Sequence, residues 1–137
     1  MALAVLTDVS FTFNGTDLSD HVESITVNSS QPGQEITCMG DVGHTILPGL
    51  PDCSIDVTFR QDYATTKVDA VIWSALNGGT SQSFTIKPTS GVVGISNPKY
   101  TGNAFVQDYK PLSGSIGDTA DATVTLVVDG TITRATS

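Results

Sequence analysis

The sequence is poor in charged residues, and above all in cations. Charged side chains make up 15 % of its 137 residues, below the quarter typical of soluble domains, and only 6 Lys and Arg stand against 14 Asp and Glu. The net charge of −8 argues against a surface that grips nucleic acid or an anionic membrane, because both need clustered cations. The acidity fits simple solubility, or else a surface that must not adhere to a polyanion.

Cysteine and long apolar runs are scarce as well. Cys38 and Cys53 are the only two cysteines, so we expect small buried thiols and no disulfide framework. No stretch approaches the roughly 20 apolar residues of a membrane span. The apolar residues 1–6 are too short for the core of a secretory signal and lack a basic start. We therefore expect a chain that is cytoplasmic when made and has no membrane partner.

Sequence motifs typical of metal-binding, catalytic or phosphate-binding sites are also missing. Cys38, His44 and Cys53 share one region, but no Cys-x-x-Cys or other paired-ligand spacing connects them. The sequence has neither a nucleophile elbow nor a phosphate-binding loop. Carboxylate pairs such as Asp118 and Asp121 fall at turns, where Asp bends the chain. We expect no enzyme activity, no metal and no cofactor.

One segment, 60–79, has the period of an α-helix. Its apolar residues recur at i, i+3, i+4, i+7 and i+8 and form one stripe: Val68, Val71, Ile72, Ala75 and Leu76. We predict a helix over about 62–77. Asp62 or Thr65 is the expected N-cap, and Asn-Gly-Gly at 77–79 supplies the left-handed stop. The helix is expected to cover one face of a sheet.

Most of the remaining chain alternates apolar and polar residues at the period of a β-strand. The clearest segments are 9–13, 22–28, 53–61, 82–87, 102–110 and 122–129. Asn14-Gly15 and Asp129-Gly130 are hairpin signals, and 9–13 is expected to pair with 22–28. The count predicts a mainly β domain over 1–137, an antiparallel β-sandwich or partial barrel of about 7–8 strands with one flanking α-helix.

A long irregular segment, 29–51, interrupts the strands and is the expected interaction loop. Gly and Pro at five positions between 39 and 51 exclude a helix or a central strand there. Apolar residues on so long a loop need a cover, which is either the domain itself or a partner. Trp73, at the edge of the helical stripe, is expected at the core edge or in a subunit contact. The candidate subunit and ring interface is therefore Met39, Val42, Ile46, Leu47, Leu50 and Trp73.

Three local sequences and the order of the elements carry a family resemblance over about 9–134. The first is Asn-Gly-Thr-Asp-Leu-Ser at 14–19, followed by the strand at 22–27. The second is 102–118, which ends in a Pro-x-x-Gly-x-x-Gly-Asp turn, and the third is Asp-Gly-Thr-Ile-Thr-Arg at 129–134. Together they resemble the major tail (tail tube) proteins of long-tailed bacteriophages.

The resemblance implies a structural virion protein that forms hexameric rings. The sheets of six copies would close into a shared barrel, and the rings would stack into a tail tube that conducts DNA. The implied partners are further copies of the chain and the tape measure, tail terminator and tail tip proteins, with DNA as non-specific passing cargo. The implied location is the virion tail, after assembly in the bacterial host cytoplasm. Another phage structural or binding β-sandwich, such as a tail terminator or a capsid decoration protein, is the alternative.

Overall fold

The computed structural model describes residues 7–136, so the apolar segment 1–6, considered above as a signal, lies outside the described residues. Residues 7–136 form a seven-stranded antiparallel sheet, a separate two-stranded sheet and one α-helix. In chain order the elements are β1 Ser10–Phe13, β2 Thr16–Asp17, a 3-10 turn Ser19–His21, β3 Val22–Ser30, β4 Gly33–Glu35, β5 Ile46–Pro48, β6 Asp52–Arg60, α1 Val68–Gly78, β7 Gln82–Lys87, β8 Lys99–Ser113 and β9 Asp121–Ala135. The predicted class, mainly β with one helix, is confirmed.

The large sheet has the strand order β2-β1-β7-β8-β9-β6-β3. It is curved, so that β1 near one edge faces β6 near the other edge across the core. Three strands separate β1 from β6, so a flat sheet with a strand spacing of about 4.8 Å would hold them about 19 Å apart. The ring centroids of Phe11 on β1 and Phe59 on β6 are nevertheless 5.8 Å apart, in an edge-on arrangement. The sheet therefore curls over its own core, as a partial barrel does, without closing.

The core lies on the inner face of this curled sheet. Side chains point alternately to the two faces of a strand, so every second residue faces the core. In β6, Ile55, Val57 and Phe59 are buried in this way and Asp56 is exposed. The helix packs against β8 and adds Val68 and Ile72 to the same core. The predicted cover of one sheet face by an amphipathic helix is thus observed.

The helix begins later than predicted, at Val68 and not at about 62. Thr66 has a φ of 64°, in the left-handed region, which prevents the helix from extending backwards through it. Asp62 caps an earlier turn instead, because its carboxylate accepts the Ala64 N–H at 2.9 Å. This bond, followed by the bond to His21, lowers the pKa of Asp62. The end is as predicted, with Gly79 in the left-handed conformation at a φ of 67°.

Two predictions about strand pairing are wrong. β1 does not pair with β3: it pairs with β2 and β7, and β3 lies at the other side of the sheet on β6. Asp129-Gly130 is not a hairpin, because β9 continues through it to residue 135. The register between β8 and β9 shifts beside it, between Thr101 and Asn103, and Gly130 has a φ of 94°. The glycine therefore permits a bulge within one long strand.

A second bulge changes the predicted faces of β8. Strict alternation predicts that Phe105 and Tyr109 share one face and that Ala104 and Val106 share the other. The register shifts between Val106 and Asp108, so Tyr109 joins Ala104 and Val106 in the core. Phe105 is left exposed on the outer face.

Candidate assembly surfaces

Within the segment 29–51, Ser29 and Ser30 end β3, and residues 31–51 form a hairpin that stands away from the large sheet. β4 and β5 pair with each other from Gly33↔Pro48 to Glu35↔Ile46 and form a sheet of their own. Every residue from 31 to 50 is exposed except the half-buried Gly49. The prediction that this segment forms neither a helix nor a central strand is confirmed. The short pairing of β4 with β5 was not predicted from the Gly and Pro content.

Local hydrogen bonds order the hairpin. The Cys38 N–H donates to the Asp41 carboxylate at 2.7 Å, and the Thr45 N–H donates to the Thr37 hydroxyl at 2.9 Å. At the base, the Gly49 N–H donates to the Pro32 carbonyl at 2.6 Å. These hydrogen bonds all join residues of the hairpin to one another.

The apolar side chains of the hairpin are presented to solvent. Met39 and Val42 are fully exposed, and Ile46, Leu47 and Leu50 are each more than half exposed. The sequence left open whether the domain itself or a partner covers them, and the described part of the domain does not. Ile36, which sequence reasoning missed, is 44 % exposed on the same hairpin. We call these six residues the hairpin patch.

The opposite end of the sheet carries a second set of exposed apolar side chains. β6 and β9 pair from Ser54↔Val127 to Arg60↔Asp121, so the end of β6 lies beside the start of β9. The 114–120 loop, which precedes β9, and the segment that follows β6 and leads to α1 therefore lie at the same end of the sheet. The hairpin precedes the start of β6 and so lies at the other end. The exposed residues here are Tyr63, Trp73, Leu112 and Ile116, which we call the helix-end patch.

Trp73 was the only helix-end residue that the sequence singled out. It is 49 % exposed, and its ring packs against Tyr109 at a centroid distance of 6.3 Å. The Tyr109 hydroxyl donates to Asp69 at 2.9 Å and accepts from the Gln61 amide at 2.9 Å. Burial raises the pKa of Tyr109 to about 12, because the phenolate would lose its hydration. The network fixes α1, and with it Trp73, on β8.

The outer face of strands β3, β6, β9 and β8 is polar, and neither α1 nor the core covers it. One row of cross-strand neighbours reads Thr26, Asp56, Thr125 and Asp108. Asp56 accepts hydrogen bonds from the Thr125 hydroxyl at 3.2 Å and from the Asn28 amide at 3.3 Å. Small hydroxyls and carboxylates make up this row, and the same face also carries the exposed Phe105 and two cations, Lys110 and Arg60, of which Arg60 is paired with Glu23 and Asp121.

These four strands form a block whose two lateral edges are open within residues 7–136. Among the described residues, β3 has a strand partner only on its β6 side. β7 pairs with β8 only from Gln82↔Ala104 to Ile86↔Tyr100, so beyond Ala104 β9 is the one strand that pairs with β8 within the described residues. Pro111 lies in that part of β8, where a proline is tolerated because an edge need not donate a hydrogen bond. Two unpaired strand edges on one domain are open to pairing with another chain.

In 7–136 no group of three or more His, Cys, Asp or Glu side chains could hold a metal ion. Both histidines are held by single carboxylates, His21 by Asp62 at 2.9 Å and His44 by Glu35 at 2.5 Å. None of the helices in this part of the chain is long and apolar enough to cross a membrane.

No protein-family model and no curated protein matches the chain, but 28 chains of solved structures do. A chain of the SPP1 tail tube has a TM-score of 0.78 at 15 % identity, covering 98 % of this chain and 80 % of that one. A chain of the tail of an empty gene transfer agent particle, with C6 symmetry, has a TM-score of 0.70 at 14 % identity, covering 91 % and 92 %. A chain of the sheath-tube complex of an extracellular contractile injection system, PVC, has a TM-score of 0.74 at 13 % identity, covering 98 % and 93 %. The protein thus has the fold of tail tube proteins, which confirms the resemblance at the level of fold.

Proposed function

We propose that this protein is the subunit of a phage tail tube: copies of the chain form hexameric rings, and the rings stack into a conduit for DNA. The observation that carries the proposal is the four-stranded block β3-β6-β9-β8 with an open edge on each side. It occurs on a fold shared with chains from tail tubes.

The open edges fit a head-to-tail ring. All pairings in the block are antiparallel, so β3 and β8 run in opposite directions. When copies are related by rotation about one axis, β3 of one copy can add to the 105–113 part of β8 of the next copy as a further antiparallel strand. Closing the ring then satisfies the backbone groups that each edge leaves unpaired. Six copies correspond to the symmetry of the gene transfer agent tail.

The outer face of the block is the surface that would line the lumen. The inner face is filled by the domain's own core and by α1, so only the outer face is available. DNA carries one negative charge per 1.7 Å or so of helix axis. A wall of hydroxyls and carboxylates such as Asp56 and Asp108 would not hold DNA, and DNA would pass as non-specific cargo. The same lumen would contain the tape measure protein.

The two alternative functions, tail terminator and capsid decoration protein, differ from that of a tube subunit because neither requires a long stack of rings. A tail terminator ends a tube and a capsid decoration protein binds a capsid, so neither needs two axial surfaces on one copy. The hairpin patch and the helix-end patch provide two such surfaces and favour the tube subunit. Its ends would meet the tail terminator and tail tip proteins, its location would be the virion tail, and its assembly would take place in the bacterial host cytoplasm.

Negative-stain microscopy and analytical ultracentrifugation of the purified chain, across a concentration series, test the proposal. We expect rings at low concentration and tubes of uniform bore at high concentration. A protein that remains monomeric throughout would overturn it. A single ring that never stacks would favour the terminator alternative.

A further inference from the structure

We infer that residues 1–6, which lie outside the described residues, bind in extended conformation in a groove of their own copy, between the end of β3 and the last part of β9. The segment runs antiparallel to β3, so that Val5 faces Val27. Leu3, two residues away on the same side, faces Ser29. The groove is on the inner face of β3, which the proposed ring leaves free, and the inference does not depend on the proposed tube.

The groove opens where β9 leaves β6. The last pairing of β6 with β9 is Ser54↔Val127, whereas β9 continues to Ala135. Beyond Val127, β8 is therefore the one strand that pairs with β9 within residues 7–136. The gap between this part of β9 and β3 has a volume of about 380 Å³ and is lined by Val27, Ser29, Tyr100, Ile132 and Arg134. We call it the β3–β9 groove.

The floor of the β3–β9 groove is an apolar row that borders the core. Tyr100 and Ile132 pack against the buried cluster but are themselves only half-buried. Val27 is 37 % exposed, although it is on the core side of β3 opposite the buried Ile55. The described residues leave this row open to solvent, so a further apolar segment can bury it and be stabilised there.

Residue 7 lies beside one end of the groove. Thr7 and Ile25 line the same pocket, at the start of β3. Continuing from there antiparallel to β3 places Val5 opposite Val27, about 7 Å farther along the strand. Six extended residues span at most about 20 Å, which exceeds the roughly 13 Å from Ile25 to Ser29. The segment can therefore fill its own groove without crossing to another copy.

The side chains of the segment are suited to this register. They alternate along an extended chain, so Leu3 and Val5 share one side. The small Ala2 and Ala4 share the other side. The large apolar side chains thus enter on the side of Val27, and the small ones face outwards.

The groove also suits the backbone and the charge of the segment. Beyond Val127 one edge of β9 is unpaired within the described residues, so its N–H and C=O groups can bond an added extended segment. Residues 1–6 contain no charged side chain, and their burial therefore takes no charged side chain out of water. They also add no repulsion to a copy whose net charge is −8.

Disulfide trapping in the dilute free subunit tests the inference. Val5→Cys with Val27→Cys, in a Cys38→Ser background, should form one disulfide within the chain after mild oxidation. The intact mass should fall by two hydrogens, and the protein should stay monomeric on a non-reducing denaturing gel. Cys53 is buried and is left in place. The matched control is Ala4→Cys with Val27→Cys, in which the first thiol points away from the groove, and it should remain reduced.

The outcomes separate this inference from the proposed function. A disulfide between two copies would show that the segment crosses to a neighbour and would overturn the inference. Equal trapping of the two cysteine pairs, or no trapping of position 5 with position 27, would also overturn it. None of these results involves tubes, so they leave the proposed function untouched. A subunit that gives the disulfide within the chain but never forms rings would overturn the proposed function alone.

Thermal unfolding supplies a second readout without engineered cysteines. Leu3→Ser with Val5→Ser removes the large apolar side chains from the groove and should lower the melting temperature by at least about 4 °C. Ala2→Ser with Ala4→Ser changes the opposite side of the segment and should shift it by less than about 1 °C. Equal shifts in the two double variants would contradict the inference.

Discussion

The hydroxyl of Tyr109 lies 2.9 Å from the carboxylate of Asp69 and ties the middle of β8 to the first turn of α1. The same hydroxyl accepts the Gln61 amide, so three separate parts of the chain converge on one phenol. The helix has no side-chain cap at its start. The position of α1 on the sheet therefore depends on this contact together with the burial of Val68 and Ile72.

Tyr109→Phe should lower the free energy of unfolding by about 1–2 kcal/mol, since Asp69 loses the hydroxyl donor and the Gln61 amide keeps only the Pro111 carbonyl as acceptor while the ring stays in place. Urea unfolding followed by Trp73 fluorescence measures the loss. Tyr63→Phe is the matched control: its hydroxyl donates to the Pro111 carbonyl from an exposed position, so the change should be below about 0.5 kcal/mol. Equal losses in the two variants would contradict the role given to Tyr109.

Stability should fall in alkali, and Tyr109 should account for part of the fall. Its pKa is raised from 10.0 to about 12 by burial, so the folded state favours the neutral phenol. The contribution is complete below pH 10 and is lost as the pH rises from 10 through 12. Unfolding curves between pH 9 and 12 should show a steeper decline for the wild type than for Tyr109→Phe. The difference in absorbance at 295 nm between the two proteins should titrate well above pH 10.

The curl of the sheet predicts energetic coupling between strands that are far apart in the strand order. The Phe11 and Phe59 rings meet at 5.8 Å. Phe11→Leu and Phe59→Leu should each cost about 1–2 kcal/mol, and the double variant should cost less than their sum by about 0.5–1.5 kcal/mol. Strictly additive losses in thermal or urea unfolding would show that β1 and β6 do not face each other.

Shortening the hairpin should separate folding from stacking. Replacing residues 38–45 by Asn-Gly removes Met39 and Val42 but keeps β4 and β5. Because this segment has few contacts with the body, the melting temperature should change by no more than a few degrees. Rings should still form, and microscopy should show no stacked tubes. Tubes of normal length from the shortened chain would refute an interface role for the hairpin.

If the outer face of the sheet lines the proposed lumen, cations placed on it should make that lumen bind DNA. Thr26→Lys with Thr123→Lys adds two positive charges per copy to the face that carries Asp56. We expect normal tubes that retain DNA at low salt and release it as salt rises, because each phosphate contact releases counterions. Gln at the same two positions is the neutral control. DNA passage at the wild-type rate in phage with several such Lys substitutions would contradict the proposed lumen face.

Some features of the fold could be predicted because their causes are local. The apolar stripe of the helix, the left-handed stop at Gly79 and the alternation of Ile55, Val57 and Phe59 depend on neighbours within a few residues. The tight turn at Asn14-Gly15 was also predicted, and both residues have positive φ. For these segments propensity and tertiary packing favour the same conformation.

The errors arise where a distant strand outweighs a local signal. Asp129-Gly130 favours a hairpin, yet β8 offers a partner on both sides of the glycine, and continued pairing makes it a bulge. The bulge near Gln107 likewise moves Tyr109 into the core, where Gln61 and Asp69 can bond its hydroxyl. Neither outcome can be read from the residues around the bulge.

The residues of the two proposed interface patches could be predicted only in part from the sequence. Met39 and Val42 could be singled out, because apolar side chains on a Gly- and Pro-rich loop need a cover. Leu112 and Ile116 could not, because an apolar residue near a turn is as often buried as exposed. Only the fold shows that they stand at the end of the sheet opposite the hairpin.

The sequence by itself determined the mainly β class, the single helix, the acidic surface and the apolar loop, because composition and short-range periodicity carry that information. The tertiary structure alone decided that β1 and β3 lie at opposite sides of the sheet order, and that β3 and the end of β8 leave two open edges. Pairing between distant strands depends on which edges the whole chain leaves available after the core is buried. The surfaces on which the proposed assembly depends therefore exist only once the sheet has curled over Phe11 and Phe59.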